Sequence, residues 1–232
     1  MHRLVIFVIV GVNILFSGVT AAEKIFFAKY TVNNIIIDGA DDGVAWKQAD
    51  SISFNGLKQG SENTVCVKSL WNEDFLYFLF KVTDTNLQTH QTEQDHPELF
   101  LDDMVEFLID TNNDKDSCWN ETKIVYHINL NGVKKDDRGT SGCISDPAWN
   151  GNAVYAVKLF GTLNDQRDKD VGYQVEIAVP WSDVNQLPVK NLVLGVNFAN
   201  GDNDNNGREL FDWLGIFPFR SPHLFGNLVL GE

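Results

Sequence analysis

One carboxylate interrupts an otherwise apolar stretch of this sequence, and no other feature has a clearer chemical meaning. The stretch Met104–Ile109 is apolar apart from Glu106. A charged carboxylate is costly to remove from water unless a cation or a polar ligand pairs with it. We therefore predict that Glu106 binds a ligand. The alternative is a buried ion pair with a Lys, Arg or His, for which His127 is a candidate.

Side chains with oxygen atoms recur at every second position in two segments, a spacing that suits a hard cation such as calcium. They are Asp110, Asn112, Asp114 and Asp116 in the first segment, and Asp202, Asp204 and Asn206 in the second. The first segment is not an EF-hand, because Lys115 stands where that motif has glycine and predicted strands flank it. We predict structural calcium at these loops, with a solvated acidic turn as the alternative.

Short β-strands must position these groups, because helical periodicity is scarce and Asn, Asp and Gly turns separate short apolar runs. The predicted strands are Ile35–Ile37, Thr64–Trp71, Leu76–Val82, Met104–Ile109, Ile124–Asn129, Ala153–Leu159, Tyr173–Val179, Leu192–Asn200 and Asn227–Leu230. The segment Pro180–Val184 is predicted as a short helix with Ser182 or Asp183 at its start. The pattern predicts an all-β fold, an antiparallel, jelly-roll-like β-sandwich with short helical turns, in one domain over residues 22–232.

The N-terminal segment has the features of a secretory signal peptide. A basic start, Met1–Arg3, precedes the apolar run Leu4–Phe16, and small residues lead to a cleavage site after Ala21 or Ala22. The apolar run is too short to favour a membrane span. We therefore predict that residues 1–21 are removed, and that the protein is secreted, or periplasmic if its source is bacterial.

The charge balance restricts the classes of partner. The chain has 18 Lys and Arg residues against 32 Asp and Glu residues, a net charge of −14, without a basic cluster. This balance argues against nucleic acids and anionic membrane surfaces as partners. Neutral ligands and calcium are compatible with it.

Three cysteines lie outside the predicted signal peptide: Cys66, Cys118 and Cys143. An exported protein can form disulfides, and three cysteines allow one bridge with one thiol left over. Spacing alone does not choose the pair, although the polar surroundings of Cys118 and Cys143 favour a bridge between them. Cys66 lies within a predicted strand, where we expect a small core residue.

Several segments, taken in order, resemble one protein family. They are Ile37–Gly39, Asp42 with Ala45–Trp46, Val67–Asp84, Asp103–Asp110, Val175–Asp183 and Phe225–Leu228. In this order the sequence resembles the family 9 carbohydrate-binding modules over nearly all of the mature chain. The resemblance implies a β-sandwich that binds glucans, xylans or small sugars and often accompanies secreted glycoside hydrolases.

The resemblance also implies a binding site. Two aromatic side chains of the family clamp a terminal sugar ring, and their positions fall on Phe100 and Phe219. The hydroxyl-binding glutamate falls on Glu106, a basic residue of the next strand on His127, and an amide-bearing position on Asn197. Structural calcium ions belong to the same family pattern.

This sequence departs from the family pattern within the implied site. Phenylalanine at the clamp keeps a flat apolar face but offers less area than tryptophan. His127 is shorter than the family's basic residue and its charge depends on pH, and Ala199 stands where the family has glutamine. Arg220, next to Phe219, is a further candidate for a sugar hydroxyl, and Trp149 and Trp213 are candidates to extend the stacking surface.

The leading prediction is a secreted, non-catalytic module that binds a glucan- or xylan-type sugar, with a separate glycoside hydrolase as a candidate partner. Two alternatives stay open. A haem-binding electron-transfer domain of related fold would use Met104 and His127 as axial ligands. A glycoside hydrolase would need two carboxylates that flank one bond, for which Glu106 and Glu176 are the candidates.

Overall fold

The computed structural model describes residues 23–41, 43–58, 61–204 and 207–232. The predicted signal peptide, residues 1–21, lies outside these ranges, and so does Asn206 of the second predicted calcium loop. Within the described ranges, no helix has both the length and the apolar character that a membrane crossing requires.

Thirteen strands and one short α-helix make up most of the regular structure in the described ranges. They are β1 (Ile25–Tyr30), β2 (Asp50–Asn55), β3 (Thr64–Trp71), β4 (Phe75–Thr83), β5 (Met104–Asp110), β6 (Lys123–Asn129), β7 (Lys134–Gly139), β8 (Ser145–Asp146), β9 (Val154–Phe160), β10 (Gly172–Pro180), α1 (Trp181–Val184), β11 (Val193–Asp204), β12 (Gly207–Asp212) and β13 (Gly226–Leu230). Local chemistry fixes the turns between them. The β3–β4 hairpin, for example, turns where Asn72 Oδ1 accepts hydrogen bonds from the backbone N–H groups of Asp74 and Phe75.

The strands form two layers that share one strand. The first layer, sheet one, has the order β8-β7-β6-β5-β11-β13-β1, with β12 paired to β11. The second layer, sheet two, has the order β1-β3-β4-β10-β9, with β2 paired to β3. Strand β1 pairs in parallel with β13 at Phe26–Leu228 and with β3 at Tyr30–Trp71, whereas the other pairs are antiparallel. The predicted all-β, mainly antiparallel sandwich is confirmed.

The core lies between the two sheets and is dominated by aromatic rings. Phe107 and Phe198 of sheet one contact Phe78 and Phe80 of sheet two, with ring centroids 5.3 to 6.4 Å apart. Because strand side chains alternate between faces, the neighbour Glu106 points away from this core. The outer face of sheet one is therefore where the predicted binding residues gather.

Several predicted elements differ from those of the structure. Residues Ile35–Ile37 form no strand; the segment lies irregularly on the outer face of sheet two, where it packs against Tyr77 and Leu79. The helix α1 begins at Trp181 instead of Ser182 or Asp183. Strands β1, β2, β7, β8 and β12 are absent from the prediction. Strand β7 has the sequence KKDDRG, whose charges hide a strand from any hydrophobic pattern.

The two loop tryptophans differ in exposure. Trp213 is buried in the core, with its ring centroid 6.4 Å from that of Phe26 and 6.0 Å from that of Phe198, so it offers no stacking surface. Trp149 is half-buried; it makes an edge contact with Tyr126, and the guanidinium carbon of Arg138 lies 4.7 Å from its ring centroid.

Candidate functional site

Glu106 and His127 contact each other on the outer face of sheet one. They stand opposite each other on β5 and β6, with His127 Nε2 3.2 Å from Glu106 Oε1, and both side chains are nearly buried. Both interpretations of Glu106 from the sequence are compatible with this arrangement. Glu106 has His127 as its partner, and it also provides a polar group on a face that carries the apolar residues Leu108 and Ala199.

The imidazole ring of His127 is held from both sides. Its Nδ1 lies 3.3 Å from the backbone oxygen of Lys135, while Nε2 faces the Glu106 carboxylate. These contacts fix the ring and place it against Glu106, which restricts the orientation of the carboxylate.

Phe100 lies at one side of this pair. It belongs to the short 3-10 turn Leu99–Leu101, which precedes β5 and contacts β6 and β11. Its side chain is 39% exposed, and the guanidinium carbon of Arg208 lies 4.8 Å from the ring centroid. Phe100 therefore presents an accessible ring, as a stacking residue must.

Phe219 lies at the other side of the face, but it is only 9% exposed. It packs on Leu108 and Val125 of the sheet, in a cluster with Trp119. The accessible ring of this loop is Phe217, which is 83% exposed and whose centroid lies 5.9 Å from that of Phe219. Sequence reasoning missed Phe217 because the family pattern pointed to its neighbour.

Arg220 is held by the protein itself. Its two terminal nitrogens donate to both carboxylate oxygens of Asp137 on β7, at 2.9 and 2.6 Å, and its guanidinium lies 4.9 Å from the ring centroid of Trp119. Such bidentate pairs are geometrically specific. Arg220 therefore anchors the loop that carries Phe217 and Phe219 to the sheet, and these bonds occupy the donors expected for a sugar hydroxyl.

Asn197 has a similar internal role. It is fully buried, and its Nδ2 donates to Asp212 Oδ2 at 2.8 Å. Asp212 in turn accepts a hydrogen bond from the backbone N–H of Ile216 at 3.0 Å. The amide predicted to contact the ligand thus secures the start of the same loop from beneath.

A disulfide joins Cys118 to Cys143, the pair favoured from the sequence. It fixes the segment that carries Trp119, against which Phe219 and Arg220 pack. Cys66 is a free thiol and half-buried, so it is not the core residue that we expected from its place in β3.

The first predicted calcium loop, after β5, contains a buried lysine. Lys123 Nζ lies 3.1 Å from Asp110 Oδ1 and 2.5 Å from Asp114 Oδ1, and it donates to Thr122 Oγ1 at 2.8 Å. Lys123 and Asp110 are both fully buried. Burial raises the pKa of Asp110, and the lysine opposes this shift. The ammonium group thus offsets the charge of both carboxylates, while Asp110 Oδ1 makes no hydrogen bond within the described residues.

Asn112 and Asp116 face away from that lysine. Asn112 Oδ1 accepts from Gln186 Nε2 at 2.7 Å, and Asp116 Oδ1 accepts from the backbone N–H of Cys118 at 3.0 Å. Both residues are exposed. The four predicted ligands of this loop therefore do not converge on one point.

A second group of carboxylates does converge. One oxygen each of Asp84, Asp202 and Asp204 lies within 4.8 Å of the others, and Asp84 and Asp202 are buried. Asp84 follows β4 of sheet two directly, whereas Asp202 and Asp204 end β11 of sheet one. The buried Asp202 Oδ1 has no hydrogen-bond partner among the described residues. Asp84 was not expected at this site, since it lies far away in sequence.

The electrostatics of this group favour a cation. Burial raises the pKa of Asp202 to about 7, and repulsion from Asp204 and Asp84 adds to the shift. Burial also raises the pKa of Asp84 and of its neighbour Asp103. In the described ranges, no lysine or arginine makes a salt bridge with any of these four carboxylates. Lys58 lowers the pKa of Asp202 only in part, and carboxylate oxygens are the ligands that calcium prefers.

The contacts of His127 and Glu176 argue against the haem-binding and glycoside hydrolase alternatives. Both ring nitrogens of His127 contact protein oxygens, so neither is free to be the axial ligand that a haem would share with Met104. Glu176 lies on the outer face of sheet two, where it accepts a hydrogen bond from Trp46 Nε1 at 2.7 Å. Glu106 lies on the outer face of sheet one. The two glutamates therefore cannot flank one glycosidic bond.

A comparison of the sequence with models of protein families gives independent evidence on what this fold is. The model described as "Carbohydrate family 9 binding domain-like" matches residues 37–232. The chain belongs to this family. The match spans both sheets of the sandwich and includes each of the residues that line the outer face of sheet one.

Two curated relatives of this carbohydrate-binding family 9 chain are large enzymes. It is 29% identical over 204 residues to exoglucanase XynX from Acetivibrio thermocellus, a match that covers 84% of this chain and 16% of the enzyme. It is 28% identical over 225 residues to endo-1,4-beta-xylanase A from Thermotoga maritima, which covers 94% of this chain and 19% of the enzyme. The chain thus spans less than a fifth of the length of these relatives.

A solved structure shares the fold. The family 9 carbohydrate-binding module from Caldicellulosiruptor kristjanssonii, in complex with cellotriose, superposes with a TM-score of 0.68 at 21% identity. The match covers 90% of this chain and 94% of that one. The sandwich architecture is therefore common to both proteins.

Proposed function

We propose that this protein is a non-catalytic module that binds a glucan- or xylan-type sugar on the outer face of sheet one. The observation that carries the proposal is the Glu106–His127 pair, which lies nearly buried on the same side of the sheet as the accessible ring of Phe100. Sugar sites combine an apolar stacking surface with a few oriented polar groups. This face provides both on rigid strands.

Each group has a distinct task in the proposed site. The ring of Phe100 stacks against the C–H face of a sugar ring. Glu106 accepts a hydrogen bond from a sugar hydroxyl, in an orientation that His127 maintains. Phe217 offers a second ring, while Phe219, Arg220 and Asn197 shape and secure the loop that presents it.

We further propose calcium as a structural ion at Asp84, Asp202 and Asp204. The support is the convergence of their oxygens, the unpartnered Asp202 Oδ1 and the absence of a salt bridge from these carboxylates to a lysine or arginine among the described residues. A bound ion would neutralise these carboxylates and link the end of β4 to the end of β11. It would stabilise the fold, and the sugar site would use it only indirectly.

The proposed setting is outside the cell. The signal-like N-terminus and the Cys118–Cys143 disulfide support export, and the kinship with exoglucanase and xylanase sequences supports a link to polysaccharide breakdown. A separate glycoside hydrolase is the proposed functional partner.

Calorimetric titration of the mature protein with glucose, cellobiose, xylobiose and laminaribiose tests the sugar site. We expect saturable binding of at least one disaccharide, and a loss of about tenfold in Phe100→Ala, which corresponds to about 1.4 kcal/mol. Glu106→Gln should weaken binding at least as much, since it removes the charge of the acceptor. Phe217→Ala reports whether the second ring contributes.

A matched control is available on the other sheet. Phe160 on β9 has the same exposed fraction as Phe100, 39%. Phe160→Ala should therefore bind sugar as the wild type does. If no sugar binds to the folded wild-type protein, or if both phenylalanine variants lose equal affinity, the proposed site is wrong.

A further inference from the structure

Arg208 shares the face of the proposed sugar site, although it lies outside the pattern from which the site was predicted. On β12, Arg208 lies opposite Asn203 of β11. Along the same two strands, Leu210 lies opposite Gly201, and Asp212 lies opposite Ala199. Alternation along the strands places Arg208 on the same face as Ala199, whose partner on β5 is Glu106. Arg208 therefore belongs to the surface that carries the Glu106–His127 pair.

Two donors of Arg208 are unused. Its Nε and Nη2 are closed off from solvent and have no hydrogen-bond partner in the described part of the chain. Buried N–H groups of a charged side chain are normally bonded, because an unmade bond leaves the full desolvation penalty in place. Nε–H and Nη2–H lie side by side on one edge of the guanidinium, which suits two adjacent acceptor oxygens.

The contrast with Arg220 at the other side of the face is direct. Arg220 makes a bidentate pair with Asp137, whereas no carboxylate in the described ranges makes a salt bridge with Arg208. The nearest interacting acid is Glu106, which raises the pKa of Arg208 and partly offsets the lowering caused by burial. Acidic side chains outnumber basic ones in this chain, 32 to 18. An arginine that makes no salt bridge despite this excess keeps its donors available to a ligand.

Phe100 covers the guanidinium. The Cζ atom of Arg208 lies 4.8 Å from the centroid of the ring, in a cation–π contact. Phe100 is 39% exposed and is carried by a turn of only three residues, Leu99–Leu101. Arg208 therefore lies against the ring on which the proposed sugar stacks, and its Nε and Nη2 edge becomes accessible to that sugar only when the turn shifts.

We propose that Arg208 is a ligand-binding residue of this site, and that its Nε–H and Nη2–H edge binds two adjacent oxygen atoms of the sugar that stacks on Phe100. The inference rests on the proposed function and adds a specificity residue to it. Two adjacent oxygens occur in a pair of neighbouring hydroxyl groups and in the carboxylate of a uronic acid. The guanidinium edge recognises both by the same geometry.

The test compares Arg208→Lys and Arg208→Gln with the wild type in the calorimetric titration with cellobiose and xylobiose. Lysine keeps a positive charge that can lie over Phe100 but lacks the paired donors. We expect both variants to lose at least tenfold in affinity while their thermal unfolding stays close to that of the wild type. Arg167→Gln, at an exposed arginine paired only with Asp165, should change neither property.

A second arm compares glucose with D-glucuronic acid. A preference for the glucuronic acid that disappears in Arg208→Lys assigns the two oxygens to a carboxylate. Equal binding of the two sugars, weakened equally in the variant, assigns them to neighbouring hydroxyls.

The outcomes separate this inference from the function on which it rests. If the wild type binds sugar and Arg208→Lys binds it within twofold as well, Arg208 only supports Phe100 and the inference is wrong, whereas the proposed function stands. If the wild type binds none of these sugars, the proposed function fails and this inference fails with it.

Discussion

Two acidic regions of this sandwich face the same electrostatic problem and differ in how it is solved. After β5, the ammonium group of Lys123 lies between Asp110 and Asp114. At the end of β11, Asp202 and its neighbours converge without a salt bridge to a lysine or arginine in the described ranges. The comparison shows that carboxylates with the same spacing in sequence can differ in the counter-charge that the chain places beside them. The proposed calcium site is the region in which that counter-charge is weaker.

The largest effect should come from removal of that internal cation. Lys123→Met leaves Asp110 buried without its counter-ion, which should reduce the free energy of unfolding by about 3–5 kcal/mol. Urea denaturation measures the change. Lys190→Met, at an exposed pair with Glu232, should cost about 0–1 kcal/mol. A loss below about 1 kcal/mol at Lys123 would show that the lysine does not neutralise the loop.

Calcium removal should affect the second region alone. At a calcium concentration about 100 times the dissociation constant, the ion should add about 2.7 kcal/mol to the free energy of unfolding, which EDTA removes. Asp202→Asn should lose this response, whereas Asp114→Asn should retain it. Thermal unfolding with and without EDTA measures both. A response that survives in Asp202→Asn, or is lost in Asp114→Asn, would reverse the assignment of the two regions.

A third effect is the pH dependence of the calcium-free protein. The pKa of Asp202 is raised from 3.8 to about 7, so between these values the folded state binds more protons than the unfolded state. The contribution to stability is therefore complete below about pH 4 and is lost as the pH rises through about 7, at up to about 1.4 kcal/mol per pH unit.

The variant Asp202→Asn isolates this contribution, because asparagine does not titrate. We expect the difference in unfolding free energy between wild type and variant, in EDTA, to move in favour of the wild type as the pH falls from 8 to 5. Urea denaturation at each pH measures it. A difference that is constant over this range would show that Asp202 keeps its ordinary pKa.

The sequence was sufficient for the sandwich because its central strands are plainly apolar. Thr64–Trp71 coincides with β3, and the predicted strand Met104–Ile109 lies within β5. The charged strand β7 was missed because its side chains find partners in the fold, such as Asp137 with Arg220. Hydrophobic periodicity carries no signal for such a strand.

The candidate site could be predicted only where its residues lie on neighbouring strands. Glu106 and His127 face each other because β5 and β6 form a hairpin, and this could be anticipated from the sequence. Arg208 and Asp84 enter their sites through contacts between distant segments, which spacing does not reveal. Asn197 matches the family pattern, and Arg220 was a candidate from its place next to Phe219; both donate hydrogen bonds to acidic side chains of the protein.

Strand β1 belongs to both sheets, and this has a mechanical consequence. Strands β1 and β13 run parallel as direct neighbours, with Ile25 opposite Asn227 and Ala28 opposite Leu230. Tension applied through the segments that precede β1 and follow β13 would pull these two strands past each other along their length. Their hydrogen bonds would then bear the load together and would have to break at once.

Because β1 also pairs with β3, the same load would be shared between both sheets. Such a shear geometry resists force far better than one in which hydrogen bonds open one after another. A fold built this way would keep the outer face of sheet one intact under such a load.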